Sequence, residues 1–367
     1  MRFALTAEQL DFATSLRKMG EAAKTPGTVR AWGAGDSAAG LALIGQLAEA
    51  GALGLISSEE NGGFGAGPVE LIVAFTEIGR AAVPGPLVET AAAIPALLQA
   101  LPDSAAAAQW LPQLAEGAEL GTLALAGAAG SASARTDNAP RAGATSGPSA
   151  LAATGAPVAL DADIAGLILV AEGDRVSFAG AGEQAKSIDA ARRLFTLETG
   201  NVLAEGEGVR AAIDLAFDTA ALATAAQLLG AGRALLDTSV DYVKQRQQFG
   251  KPIGQYQAIK HHLANVMIGL EMAQPLLYRA ALTLQDDADA TTRARDISAA
   301  KLACGEAAYQ AARIGLQVHG AIGYTAEFDL SLWLTKVTAL RSAWGTPDFH
   351  RARIAAALRA GSTGAAA

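Results

Sequence analysis

The sequence predicts a mostly helical α+β chain, with an N-terminal helical domain, a small middle β domain and a C-terminal antiparallel helical bundle. Three observations carry this. Up to about residue 115, apolar residues recur at helical spacing, as in Phe12, Leu16 and Met19, or Leu43, Leu47 and Ala50. Composition shifts at about residue 120, and 127–160 is mostly Gly, Ala, Ser, Thr and Pro without a helical period. From 209 onward, Ala- and Leu-rich segments return at about 209–247, 256–284, 290–319, 328–342 and 346–360, separated by turn signals. Long helices with short connections pack as an antiparallel bundle. The expected domains are 1–118, 119–206 and 207–367.

The elements follow in order. Thr6-Ala7-Glu8-Gln9 is a capping-box pattern that opens the first helix. The Gly-rich stretch Glu59 to Pro68 breaks the helical run, and a helix from Val69 to Ala82 ends before Pro84-Gly85-Pro86. In the middle domain, Leu167–Val170 and Val176–Phe178 flank a short polar segment and read as a hairpin. Arg193–Leu197 is a further strand candidate.

Bulk properties narrow the function. The 367 residues are 51% hydrophobic and 17% charged, which suits a folded chain with large cores rather than a disordered one. The net charge of −8 argues against nucleic acid, which needs a basic face. The single cysteine, Cys304, precludes an intrachain disulfide or a Cys-rich metal site and reads as a small residue in an Ala-rich helix. No targeting pattern or uninterrupted membrane-spanning apolar run is read, so the expectation is a cytoplasmic protein with no membrane partner. His261 and His262 are adjacent on a helix and diverge, so no metal is expected.

The most informative stretch is Arg246 to Gln257, a loop broken by Gly250, Pro252 and Gly254 between two helical segments. Arg246 is always charged and donates in a planar fork suited to phosphate, and Phe249 offers an aromatic platform beside it. The alternative is a helix–helix connector whose Arg caps a carbonyl. Downstream, Gln317-Val318-His319-Gly320-Ala321-Ile322-Gly323-Tyr324 forms a second motif, and Ala343 to Arg351 a third.

Together these resemble the acyl-CoA dehydrogenase family. The Arg246 loop is similar to its flavin-clamping R-x-x-F-G-x-x-I-x-x-x-Q, the Gln317 segment to Q-x-x-G-G-x-G-[YF], and Trp344-Gly345-Thr346 to the E-G-T of Y-E-G-T. The Gly62-Gly63-Phe64-Gly65 loop and Glu77-Ile78-Gly79-Arg80 resemble its N-terminal domain. The resemblance implies a C-terminal antiparallel four-helix bundle, FAD as cofactor, an acyl-CoA substrate, and electron-transfer flavoprotein as a possible acceptor. It implies FAD contacts at Arg246, Gln248, Phe249, Tyr256, Gln257, Gln317, Gly320, Ala321 and Thr346, with His319 near the dinucleotide.

The family's reaction needs a carboxylate to take the α-proton of the acyl thioester. In most members it stands where this chain has Trp344, and in a minority where it has Ala220. Indole has no basic group at neutral pH. Trp344 would also fill space where the thioester normally lies. Asp348, Glu327 and Glu271 are candidate displaced bases. The residues around Gly130-Ser131 lack the family's acidic flavin-side residues, and 151–160 lacks its K-x-W-I-T equivalent.

In the family, each FAD spans two subunits: one supplies the ring pocket and base, its neighbour the clamp. This chain keeps the clamp and lacks the base. It resembles the small β subunits of actinobacterial α2β2 acyl-CoA dehydrogenases acting on steroid side-chain CoA thioesters, which implies a homologous catalytic partner. Two alternatives stay open: a self-sufficient dehydrogenase with a displaced carboxylate, and an FAD-free scaffold.

Overall fold

The computed structural model describes residues 4–103, 105–126 and 157–364. Helices α1 (Ala7–Ala22), α2 (Thr25–Gly33), α3 (Ala38–Glu49), α4 (Pro68–Arg80), α5 (Ile94–Ala100) and α6 (Ala105–Ala115) build the N-terminal region. The capping box forms as the sequence predicts: Thr6 Oγ1 accepts from Gln9 N at 3.2 Å, and Gln9 Oε1 accepts from Thr6 N at 3.0 Å. Helix α4 runs Pro68–Arg80, not to Ala82, because Ala82 turns left-handed at φ +53°. A π-helical turn, Glu89–Ala93, precedes α5.

The middle region is a five-stranded sheet of β1 (Gly121–Ala126), β2 (Val158–Leu160), β3 (Leu167–Glu172), β4 (Arg175–Ala185) and β5 (Leu194–Glu205), in the order β1-β3-β4-β5-β2. The expected hairpin is β3–β4, antiparallel and joined through Gly173 at φ +63°. β1 lies parallel to β3, and the remaining pairs are antiparallel. Gly130-Ser131 and 151–156 lie outside the described residues.

The C-terminal region comprises α7 (Val209–Gln245), a two-stranded ribbon of β6 (Gln247–Gln248) and β7 (Lys251–Pro252), α8 (Gln257–Gln285), α9 (Ala290–His319), α10 (Leu330–Ser342) and α11 (Pro347–Gly364). By length and composition α7 is apolar enough to cross a bilayer, which the sequence reading did not anticipate. Yet 89% of its most apolar window is buried inside the fold, so it is a core helix. It packs against α4 so closely that only glycine fits at the crossing: a Cβ on Gly230 would stand 1.8 Å from Thr76 O, and one on Gly79 2.1 Å from Gln227 O. One large core joins Phe75, Ile78 and Leu97 to Leu222, Leu229 and Leu340, tying the bundle to the N-terminal helices.

Candidate functional site

The structure separates the sequence-predicted residues into two places. The first is one end of the bundle. A small apolar cluster of Val243, Leu263 and Val318, with Tyr242, Ile253 and Ile259 packed on it, joins the end of α7, the start of α8 and the end of α9. Two motifs far apart in sequence, the Arg246 loop and the Gln317 segment, are thereby brought to the same end.

Arg246 is the C-cap of α7. Its N–H donates to Tyr242 O and its carbonyl accepts from Ile253 N, both at 2.8 Å, which fixes the root of the ribbon. Its side chain is exposed and, among the described residues, its guanidinium has no hydrogen-bond or ion-pair partner. The capping alternative would engage that group; the structure leaves it free to donate outward. Phe249 sits at the ribbon tip at φ +51° with 92% exposure. Phe249 and Gly250, both at positive φ, make the two-residue turn of the ribbon, and a large aromatic ring at that tip stands in water rather than in a core.

Lys251 Nζ lies 4.3 Å from the centroid of Tyr256, whose hydroxyl donates weakly to Gln248 O at 3.4 Å. Gln257 opens α8 and is exposed. Gln317 is exposed on the last turn of α9. Gly320 follows at φ +66°, where a Cβ would meet nothing within 4 Å, and Ala321 is exposed beside it. His319 corrects the expectation: its ring turns inward, stacks on Tyr242 at 4.1 Å, and places Nδ1 2.7 Å from Gly315 O. Burial lowers its pKa. The apolar cluster claims the ring, so it does not face the surface carrying Gln317.

These groups fit the ADP half of a dinucleotide. A free guanidinium suits the diphosphate, an open glycine turn lets a ligand approach the backbone, and exposed amides and an aromatic ring flank them.

The second place is around Trp344, and Thr346 belongs here rather than with the clamp. Thr346 Oγ1 accepts from Phe349 N at 3.2 Å and caps α11. Ala220 is fully buried in α7 and offers no polar group. Trp344 adopts φ +53° and Gly345 φ +101°, a tight left-handed turn closing α10. Two buried lysines fix the helix before it. Lys301 Nζ donates to Leu340 O at 3.0 Å, and Lys336 Nζ donates to Val83 O at 2.6 Å.

The indole points inward, edge-on to Phe217 at 6.2 Å between centroids. Its Nε1 donates to Glu89 Oε1 at 3.2 Å. Glu89, on the π-turn, is buried, and its Oε2 has no hydrogen-bond partner among the described residues. Burial pushes its pKa up, with the nearby Arg192 charge and the indole bond partly opposing. The sequence reading did not single out Glu89. Its one signal was a lone carboxylate in the apolar run Pro86 to Pro95.

The displaced-base candidates lie elsewhere. Asp348 is 85% exposed and paired with Arg351 at 2.8 Å. Glu271 is exposed and faces Arg233, and Glu327 is exposed. Asp218, next to the vacated Ala220 region, is buried but engaged on both oxygens, by Arg293 Nε at 3.0 Å and a nitrogen of Arg353 at 2.7 Å. A groove of about 330 Å³ is lined by Gly67, Ala96, Gln99, Leu215 and Thr219, with neither Trp344 nor Glu89 in its walls.

Phe217 and Arg246 lie on the same helix, roughly 40 Å apart along its axis at about 1.5 Å per residue. The ribbon and the Trp344 turn, which packs on Phe217, therefore stand at well-separated points along α7.

Comparison with known proteins identifies the family and the fold. The family model for the acyl-CoA dehydrogenase C-terminal domain matches residues 206–359, and that for the N-terminal domain matches 6–118. The acyl-CoA dehydrogenase IpdE2 of Mycobacterium tuberculosis is 31% identical over 317 residues, covering 85% of each chain. Among solved structures, the ChsE4-ChsE5 complex from Mycobacterium tuberculosis superimposes with a TM-score of 0.77 at 19% identity, covering 98% of this chain and 99% of that one. A steroid ACAD, Tcur3481-Tcur3483, gives 0.76 at 22% identity, covering 97% of this chain and 99% of that one. The two structures share the fold.

Proposed function

The chain belongs to the acyl-CoA dehydrogenase family, and from that premise we propose that it is a subunit in FAD-dependent α,β-desaturation of an acyl-CoA, clamping the ADP half of a flavin whose ring lies in a homologous partner. The single observation that carries this is the division of the molecule. The residues of the two clamp-like motifs face outward at one end, while Trp344 stands at the family's usual base position at a distance.

The flavin, when bound, accepts the β-hydrogen as hydride. This chain's share is positional. Arg246 would donate to the diphosphate, Phe249 and Tyr256 would flank it, and Gln257, Gln317 and the turn at Gly320-Ala321 would approach the rest of the nucleotide. Neither Trp344 nor Ala220 can take a proton from a carbon acid. On this reading a partner supplies the carboxylate. The likeness to the ChsE4-ChsE5 complex supports a heteromeric assembly, and the likeness to the steroid ACAD supports a bulky, steroid-bearing acyl group.

The test is flavin stoichiometry. The chain is purified alone and co-expressed with homologous subunits, and FAD per tetramer is read by absorbance. A colourless chain alone and two flavins per mixed tetramer are expected. A yellow homotetramer with four flavins overturns the reading.

A further inference from the structure

Position 344 is occupied by more than a passive replacement. The backbone there is left-handed at φ +53°, a conformation unfavourable for a non-glycine residue. Three contacts hold it. His350 Nε2 donates to Trp344 O at 3.0 Å, Phe217 packs edge-on to the indole, and Glu89 accepts from Nε1 at 3.2 Å. The Glu89 bond joins the N-terminal region to the C-terminal bundle. An acid buried on an apolar π-turn is unfavourable unless a donor meets it. The indole N–H is that donor, and the second carboxyl oxygen stays without a partner among the described residues.

We propose that Trp344, anchored by Glu89, is a built-in plug: this subunit's own acyl pocket is filled by its indole, and removing that side chain exposes a site that selects a flat aromatic ligand bearing an N–H. The proposal rests on the family reading, which makes position 344 a wall of the acyl pocket. In that setting Trp344 is the specificity-determining residue and Glu89 its positioning residue.

Trp344→Gly is the direct variant. Glycine adopts positive φ freely, so the turn survives while the indole volume is vacated with Glu89 at its end. Indole and indene are the probes: similar in shape, but only indole carries the N–H. Titrations by calorimetry use the purified full chain alone, so that no acyl site of a partner contributes to the signal. Indole is expected to bind W344G about tenfold more tightly than indene, the equivalent of about 1.4 kcal/mol. That preference should vanish in W344G/E89L, and the wild type should bind neither probe. Butyryl-CoA should bind W344G on this chain and not the wild type. Equal binding of indole and indene, or of either probe or butyryl-CoA to the wild type, overturns the proposal.

Should W344G fail to fold, Trp344→Phe keeps the bulk but cannot donate. Its unfolding midpoint should drop in the Glu89 background and not in the Glu89→Leu background. An unchanged midpoint in the Glu89 background overturns the proposal. The parent reading fails separately, since four flavins in a homotetramer would overturn the clamp reading and leave these binding results unaltered.

Discussion

His350 and Trp344 are locked by a directional bond: the Trp344 carbonyl can only accept, so the proton of the His350 ring is on Nε2, 3.0 Å away. Nδ1 is then the acceptor for Ser298 Oγ at 3.1 Å, and Ser298 in turn lies 3.4 Å from an Arg353 nitrogen. Burial, with the Lys301 charge adding to it, pushes His350 down to about 3. The folded pKa lies below the unfolded one, so its stabilisation is present above about 6.5 and lost as pH falls towards 3. The slope approaches about 1.4 kcal/mol per pH unit. Denaturant melts of wild type and His350→Gln should therefore converge on acidification. Glu89 has the opposite sign, its contribution present at low pH and lost as pH rises above 4.5, so the comparison must vary His350 alone.

Arg246→Ala should remove flavin without loosening the fold. The side chain is exposed and touches no described partner, so the unfolding midpoint should stay within about 0.5 kcal/mol. A charge-assisted hydrogen bond to phosphate contributes about 1.5–3 kcal/mol, so flavin should be held roughly ten- to hundredfold more weakly. Flavin remaining after gel filtration of the complex measures it, and an unchanged ratio would sink the clamp role.

Two glycines should respond oppositely to alanine. Gly230→Ala places a Cβ 1.8 Å from Thr76 O and 2.8 Å from Arg80 N, backbone atoms that yield only if the helices separate. A loss of about 3 kcal/mol or more is expected. Gly45, inside α3, has nothing within 4 Å of its would-be Cβ, and Gly45→Ala should gain about 0.5–1 kcal/mol. Thermal melts of the pair would show both signs.

Asp218→Ala should destabilise by about 3–5 kcal/mol, because Arg293 and Arg353 are left facing a site with no countercharge. Asp218→Met with Arg293→Met should recover part of that loss. A single variant as stable as the wild type would show the ion triad to be dispensable.

Much of the architecture was legible from the residues. The capping box at Thr6, the hairpin at Gly173 and the helices of the bundle follow from local chemistry, which the fold does not override. The strands were harder. Gln184 and Glu198 lie in β4 and β5, but these strands are largely solvent-facing, so little apolar alternation marks their length. The Trp344 substitution was visible because Gly345 and Thr346 hold its register. Glu89 was not, since an acid in an apolar run carries no sign of its partner until α10 brings the indole to it. His319 misled because Gln317, Gly320 and Ala321 in the same motif face out, and only the packing of Tyr242 shows that this ring turns in with Val318.

The ribbon of β6 and β7 ends on an exposed Phe249, with the free Arg246 at its root. On the proposed reading, no molecule can use its own clamp, so holding the cofactor becomes a mass-action property of assembly. Dilution below the dissociation constant of the assembly should bleach the complex even though each polypeptide stays folded, and excess of this chain should slow the loss of colour.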